Sequence, residues 1–331
     1  METSAIPVLV LFGPTASGKT GILLQLFNSQ SKLQAEVISA DSMQVYRGMD
    51  IGTAKPSADE RAKLPHHLID IRDPCEQFNA GDFVRLADDA CAEIASRGKL
   101  PVVSGGTGFY LKNFILGLSE APPSDKLIRE QLRRELSEKG AASLMEELAS
   151  CDSVSANRIH INDEYRLLRA LEVYRSCGKP LSSFEVNADK NRPNFNFLII
   201  GLSRPREELY RRINLRCADM FKQGLAAEVN SLFKSGYTPE APGLRAIGYR
   251  EFFVEAAQDG DFSADKQGKW RLSEDIKGVQ ALVAQNSRRY AKRQITFFSG
   301  IPNVNWVEPG CDDEETAEKI KNILKEFYRE L

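Results

Sequence analysis

Apolar residues in the first third of the chain gather in short runs, PVLVLF at 7–12, AEVISA at 35–40 and LPVVSGG at 100–106. Each run is short, rich in valine, isoleucine and leucine, and carries no polar face, which predicts strands buried on both sides. Between them the spacing changes to the three-to-four-residue recurrence of amphipathic helices, starting at Gly18, across 80–97 and again from Thr107. That alternation predicts a parallel sheet wrapped by helices. Pro122 and Pro123 interrupt it, and from Ser124 to about Cys177 the pattern is helical throughout, with Ser124 as N-cap and Gly140 and Gly178 as stops. Strand character returns in NFLIIGL at 196–202, and helices dominate from there to the C-terminus. The division expected is a core of residues 1–120 and 193–331 with an all-helical insertion at 121–192.

The 331 residues are 42% apolar and 27% charged, enough to bury a large core. The only N-terminal apolar run follows an acidic Glu2 and is too short for a signal core or a membrane span, so a cytoplasmic protein is expected. No two of the six cysteines are close enough in sequence for a C-x-x-C half-site, and no disulfide framework is suggested. A net charge of −2 excludes coating of nucleic acid by bulk electrostatics, so any binding groove is local. The clearest candidate is 276–307, which holds Lys277, Arg288, Arg289, Lys292 and Arg293 and no acid. In the insertion 12 basic residues balance 12 acidic ones, and one helix sets Leu167, Leu168, Leu171 and Tyr174 on one side against Arg166, Arg169 and Arg175 on the other. That basic side reads equally as a binding face and as a solvated one.

GPTASGKT at 13–20 fits G-x-x-x-x-G-K-[ST], follows a strand and opens a helix. In such a P-loop, Gly13, Pro14, Thr15, Ala16, Ser17 and Gly18 wrap backbone N–H groups around phosphate oxygens. Lys19 adds a point charge and Thr20 a hydroxyl for Mg²⁺. The fold class expected is therefore α/β, a P-loop-type parallel sheet flanked by helices, with the helical insertion domain. An NTPase commonly ends a neighbouring strand in an acid, but LPVVSGGTG ends in Ser104 and glycines. The strand AEVISA instead delivers Asp41 at its C-terminal end, as a metal ligand or general base. His66 and His67 lack a third ligand at useful spacing for zinc.

Together with DSMQVYRGMDIGTAKP at 41–56, HHLID at 66–70, GGTGFY at 105–110, RLLRALEVY at 166–174, RAIGYRE at 245–251 and RRYAKRQITFF at 288–298, the P-loop makes the chain resemble the tRNA dimethylallyltransferase (tRNA isopentenyltransferase) family in its short, bacterial-type architecture. Phe109 and Phe297 depart from the commoner leucine or methionine and tryptophan, but stay apolar. The resemblance implies that the P-loop holds dimethylallyl diphosphate rather than ATP, and that the acceptor is the adenosine 3′ of the tRNA anticodon. Asp41 would be the base for the poorly nucleophilic exocyclic amine and Thr107 would orient it. Lys19, Mg²⁺ and Arg216 would meet the charge developing on diphosphate. Contacts to the anticodon stem-loop are implied at Asp41, Ser42, Met43, Gln44, Thr107, Arg129, Tyr165, Arg166, Leu167, Leu168, Arg169, Arg245, Ala246, Ile247, Gly248, Tyr249, Arg250, Lys292, Arg293 and Gln294. Tyr249, Phe297 and Phe298 fill the core or stack on bases. Three other readings stand beside this one. They are a small-molecule kinase with 204–216 as its lid, transfer to a free adenine nucleotide, and a non-catalytic P-loop RNA-binding protein. A monomer is expected, since no coiled-coil heptad is present.

Overall fold

The computed structural model describes residues 5–184, 192–256, 265 and 268–329; the segment 185–191, at the end of the expected insertion, lies outside them. Two compact units are present, one of residues 1–115 with 192–331, the other of 116–191.

The larger unit is built on six parallel strands in the order β3-β2-β4-β1-β5-β8. In chain order these are β1 (Ile6–Phe12), β2 (Ala35–Ala40), β3 (His66–His67), β4 (Leu100–Gly105), β5 (Phe195–Leu202) and, further on, β8 (Asn305–Val307). The middle strands are apolar at nearly every position because both faces are covered, and β1, β2 and β4 are buried almost throughout. The covering helices of the first half are α1 (Lys19–Leu26), α2 (Ala58–Lys63), α3 (Ala80–Ser96) and α4 (Gly108–Leu116). α3 starts at a capping box in which Asn79 and Asp82 each accept the other's backbone N–H.

After β5 come α8 (Arg206–Lys222), α9 (Leu225–Lys234), a small antiparallel hairpin of β6 (Phe253–Glu255) and β7 (Trp270–Leu272), α10 (Ile276–Phe298) and, beyond β8, α11 (Asp313–Arg329). The reading of this stretch as helical missed β6, β7 and β8, whose three residues each are too few to show a period of two. α11 sets Ile320 and Leu324 into the same apolar cluster as Leu23 and Leu26 of the P-loop helix, so the end of the chain braces its beginning.

The smaller unit holds α5 (Lys126–Cys151), α6 (Ser153–Arg158) and α7 (Glu164–Cys177) around Leu132, Leu144, Leu148, Leu167, Leu168 and Leu171. One local expectation is corrected here, one holds, and one left open is decided. The N-cap of α5 is Asp125, which accepts from Leu127 and Ile128, while Ser124 donates to buried Glu172. Gly140 stops the first helical segment as expected, at φ 78, ψ 166, a backbone only glycine adopts readily, and a second segment follows it because Leu144 and Leu148 continue the packed stripe. The arginine side of α7 is not a free basic face, since Arg169 pairs with Glu172, and Arg175 with Glu135 and Glu147.

Candidate active site

β1 ends at Phe12, and the loop that follows turns back on itself through Ala16 (φ 64) and Gly18 (φ 99) before α1 begins. The loop is held from three sides. Arg204 Nε donates to Ser17 O and Arg212 Nε to Ala16 O, each at 2.9 Å, so two guanidinium groups grip its carbonyls. Gln294, buried on α10, accepts from Thr15 N at 2.9 Å and donates to Gly106 O at 2.7 Å, tying the P-loop to the turn after β4. Lys19 Nζ lies over the loop and donates to Gly13 O and Pro14 O at 2.9 and 3.0 Å. Burial, with the Arg216 charge added and Asp41 opposing, pushes the Lys19 ammonium down to about 8.

Asp41 follows β2 directly, and its Oδ1 accepts from Met43 N and Gln44 N at 2.8 and 3.3 Å. β2 pairs with β4 in register, Ala40 opposite Gly105, and a side chain at Gly105 would strike Ala40 O. The close approach brings Thr107 beside Asp41. Thr107 N donates to Ala40 O, and Thr107 Oγ1 accepts from Ser42 N at 3.0 Å. Two groups 66 residues apart in sequence are thus fixed at one sheet edge.

Two cavities open here, of about 860 and 280 Å³. The larger is lined by the P-loop from Thr15 to Thr20, by Ser104 to Gly106 and by Arg211, Arg212 and Arg216 of α8. The smaller is lined by Ser42, Met43, Gly52, Arg245, Ala246, Ile247, Arg250 and Arg293. Thr15, Asp41, Thr53, Arg216, Met220 and Tyr290 line both, so the two meet where the carboxylate faces a guanidinium. Arg216 is therefore not an ordinary surface arginine. Burial holds its pKa below the usual arginine range, with Asp41 opposing. Tyr290 is pushed up to about 12 by burial and the Asp41 charge, and its phenol keeps its proton. The larger cavity gathers Lys19 and three arginines of α8, and the smaller is lined by Arg245, Arg250 and Arg293.

The remaining expected site residues separate by burial. Tyr249, Leu167 and Leu168 are buried and their side chains serve packing, while Ala246 and Gln294, also largely buried, still line the smaller and the larger cavity. Gln44 lines the larger cavity, where it accepts from Ser39 Oγ and donates to the loop at Thr53 and Ala54. Gly248 adopts φ 98 against Gly52. Lys292 and Arg293 are exposed, Phe297 partly so, and Phe298 packs on Phe12 with ring centroids 4.7 Å apart. In the smaller unit Tyr165 is 70% exposed with the Arg129 guanidinium 4.8 Å from its ring centroid, and Arg166 is exposed beside it. His67 contacts Glu36, which Arg97 and Lys99 also hold, an ion cluster that keeps the Glu36 carboxyl down at about 2 against its burial. Among the described residues no group of three or more His, Cys, Asp or Glu side chains could hold a metal, and no helix is long and apolar enough to cross a membrane. Sequence reading missed Arg204 and Arg212 as P-loop braces, and Met220 and Tyr290 as shared walls. The arginine density of 204–216 was the available signal for the first two.

Residues 44–300 match the family model described as IPP transferase. A tRNA dimethylallyltransferase of Geobacter sulfurreducens is 43% identical over 325 residues, covering 98% of both chains. The full-length tRNA isopentenylpyrophosphate transferase of Bacillus halodurans superposes with a TM-score of 0.67 at 36% identity, over 98% of this chain and 97% of that one. A eukaryotic dimethylallyltransferase acting on tRNA gives 0.74 at 26% identity, over 96% of this chain and 78% of the other. With a P-loop cavity opening onto a second pocket at Asp41 and Arg216, and likeness along its whole length, the chain belongs to the IPP transferase family of prenyltransferases.

Proposed function

We propose that the protein transfers the dimethylallyl group of dimethylallyl diphosphate to the exocyclic amine of the adenosine 3′-adjacent to the anticodon of tRNA, releasing diphosphate. The observation that carries this reading is the meeting of a P-loop-lined cavity and an arginine-rimmed pocket at Asp41, Thr15 and Arg216. Diphosphate would lie on the P-loop amides with Lys19, Arg211, Arg212 and Arg216 around it, and the flipped adenine would enter the smaller pocket. As the C–N bond forms and the C–O bond breaks, the amine proton passes to Asp41. The electron pair leaves with diphosphate, against the charges of Lys19 and Arg216. Thr107, pinned at Ser42, sits within the same edge to orient the amine.

The Thr20 hydroxyl is a hard oxygen donor in the larger cavity, which suits Mg²⁺ shared with phosphate oxygens rather than caged by protein. When bound, Mg²⁺ would supply further charge against the leaving diphosphate. The tRNA would be gripped by Arg245, Arg250, Lys292 and Arg293 at the pocket rim and by Tyr165 and Arg166 of the helical unit.

The test is to incubate the protein with Mg²⁺, unmodified tRNA and dimethylallyl diphosphate, digest the RNA and look for prenylated adenosine by mass spectrometry. AMP in place of tRNA serves as one control and ATP in place of the donor as another. Product from tRNA alone supports the reading, and ATP consumption without prenylation sinks it. Asp41→Ala should retain pyrophosphate binding while transfer falls by roughly 10²–10⁴-fold, the usual worth of a placed base. A variant that kept wild-type turnover would remove Asp41 from that role.

A further inference from the structure

Glu228, on the exposed-to-buried flank of α9, belongs to none of the motifs that point to the chemistry, yet its carboxylate is fully engaged. Oε2 accepts from Asp50 N at 3.0 Å and Ile51 N at 2.8 Å, while Oε1 accepts from Gly52 N at 3.2 Å and from the Tyr249 hydroxyl at 2.7 Å. Three consecutive backbone N–H groups converging on one carboxylate form an anion nest, here filled by the protein's own side chain. The turn so held is part of the site. Asp50, Ile51 and Thr53 line the larger cavity, Gly52 and Thr53 the smaller, and Thr53 and Ala54 carbonyls receive Gln44. The fit around the clamp is tight, since a Cβ at Gly52 would stand 2.4 Å from the Tyr249 ring. Tyr249 also leads into Arg250, and its segment supplies Arg245, Ala246 and Ile247 to the smaller pocket.

We infer that Glu228 is a positioning residue for prenyl transfer, clamping the 50–53 turn against the Tyr249 segment so that the wall shared by donor and acceptor cavities is rigid before either substrate arrives. The inference rests on the proposed function for what the wall positions, but the clamp itself is independent of it. Without the carboxylate, three N–H groups and a buried phenol lose their common acceptor, and Thr53 is free to move by the ångström or so that decides reacting geometry. Charge matters as well as shape. A glutamine at this position keeps one acceptor oxygen and turns a donor toward the donors that Oε1 now receives.

The experiment compares wild type, Glu228→Gln and Glu228→Ala by amide hydrogen exchange and by single-turnover transfer. Exchange is expected to quicken at residues 50–53 in both variants while β1, β4 and α1 keep their protection. Unchanged exchange at 50–53 in Glu228→Gln overturns the clamp, whether or not any activity is found. In transfer, the single-turnover rate is expected to fall roughly a hundredfold in Glu228→Ala, the scale of a misplacement of about 1 Å, and less in Glu228→Gln. Affinities for inorganic pyrophosphate and for tRNA should stay near wild type. Wild-type transfer rates with loosened exchange overturn the positioning role, as does a parallel loss of pyrophosphate affinity, which marks general damage. If Glu228→Ala does not fold, Glu228→Gln decides alone. A wild-type protein that fails to prenylate tRNA counts against the proposed function, and the exchange result still judges the clamp.

Discussion

Lys19 is the residue whose chemistry most depends on what fills the site. Its ammonium is buried between two loop carbonyls and near Arg216, and its pKa sits at about 8 instead of 10.5. The folded form therefore binds fewer protons than the unfolded one between about pH 8 and 10.5. In that window stability rises with pH, and below pH 8 the strain of the buried charge is present in full. A diphosphate reverses the bias, because an opposite charge favours the ammonium. Pyrophosphate binding at pH 9 should therefore take up a proton at Lys19. Calorimetry in two buffers of different ionisation heat will register it, and Lys19→Met should lose that share of the uptake. Equal uptake in the variant would place the proton on another group. The identity of Lys19 was legible in the sequence because GKT is a local signature. Its depressed pKa was not, because the burial that lowers it, and the Arg216 charge that adds to it, arise only through the fold.

Among the elements, α10 joins two tasks. Its buried side carries Gln294 to the P-loop and Phe298 to Phe12, and its outer side carries Lys292 and Arg293. Gln294→Ala leaves Thr15 N and Gly106 O without partners, and should cost about 1–3 kcal/mol for buried Gly106 O and less for half-buried Thr15 N. A lower denaturation midpoint together with weaker pyrophosphate binding would show both effects, and an unchanged midpoint would deny the strut. Lys292→Ala with Arg293→Ala should weaken tRNA binding and lower the salt slope by roughly 0.7–0.9 per lost phosphate contact. An unchanged slope would remove this face from the RNA path. The acid-free stretch was visible in composition, but its division into a strut and a basic surface was not. Periodicity ranks positions by face, and glutamine is as compatible with solvent as with a buried bridge.

The whole molecule consists of two units with separate cores. In the smaller, Glu172 is fully buried, receives Ser124 Oγ and Asp125 N, and pairs with Arg129 and Arg169 at 3.1 and 3.2 Å. Removing it strands two guanidinium groups and the start of α5, so Glu172→Ala should destabilise that unit by about 3–5 kcal/mol. Hydrogen exchange in α5 and α7 should quicken accordingly while pyrophosphate affinity of the larger unit is retained, and unaltered protection in α7 would show the network to be dispensable. What the sequence determined by itself was whatever is encoded locally. The buried parallel strands follow from unbroken apolar runs, the P-loop from glycine spacing ahead of a helix, and Asp41 from its place at the end of a strand. What only the tertiary structure decided is which distant groups share one volume. Thr107 meets Asp41 because β2 and β4 pair in register, Arg204 and Arg212 reach the P-loop because α8 follows the neighbouring strand β5, and Glu228 finds the 50–52 turn across 176 residues of chain. Such meetings follow from strand order and helix packing, which no window of sequence contains, and they turn a P-loop into a candidate site with two adjoining cavities.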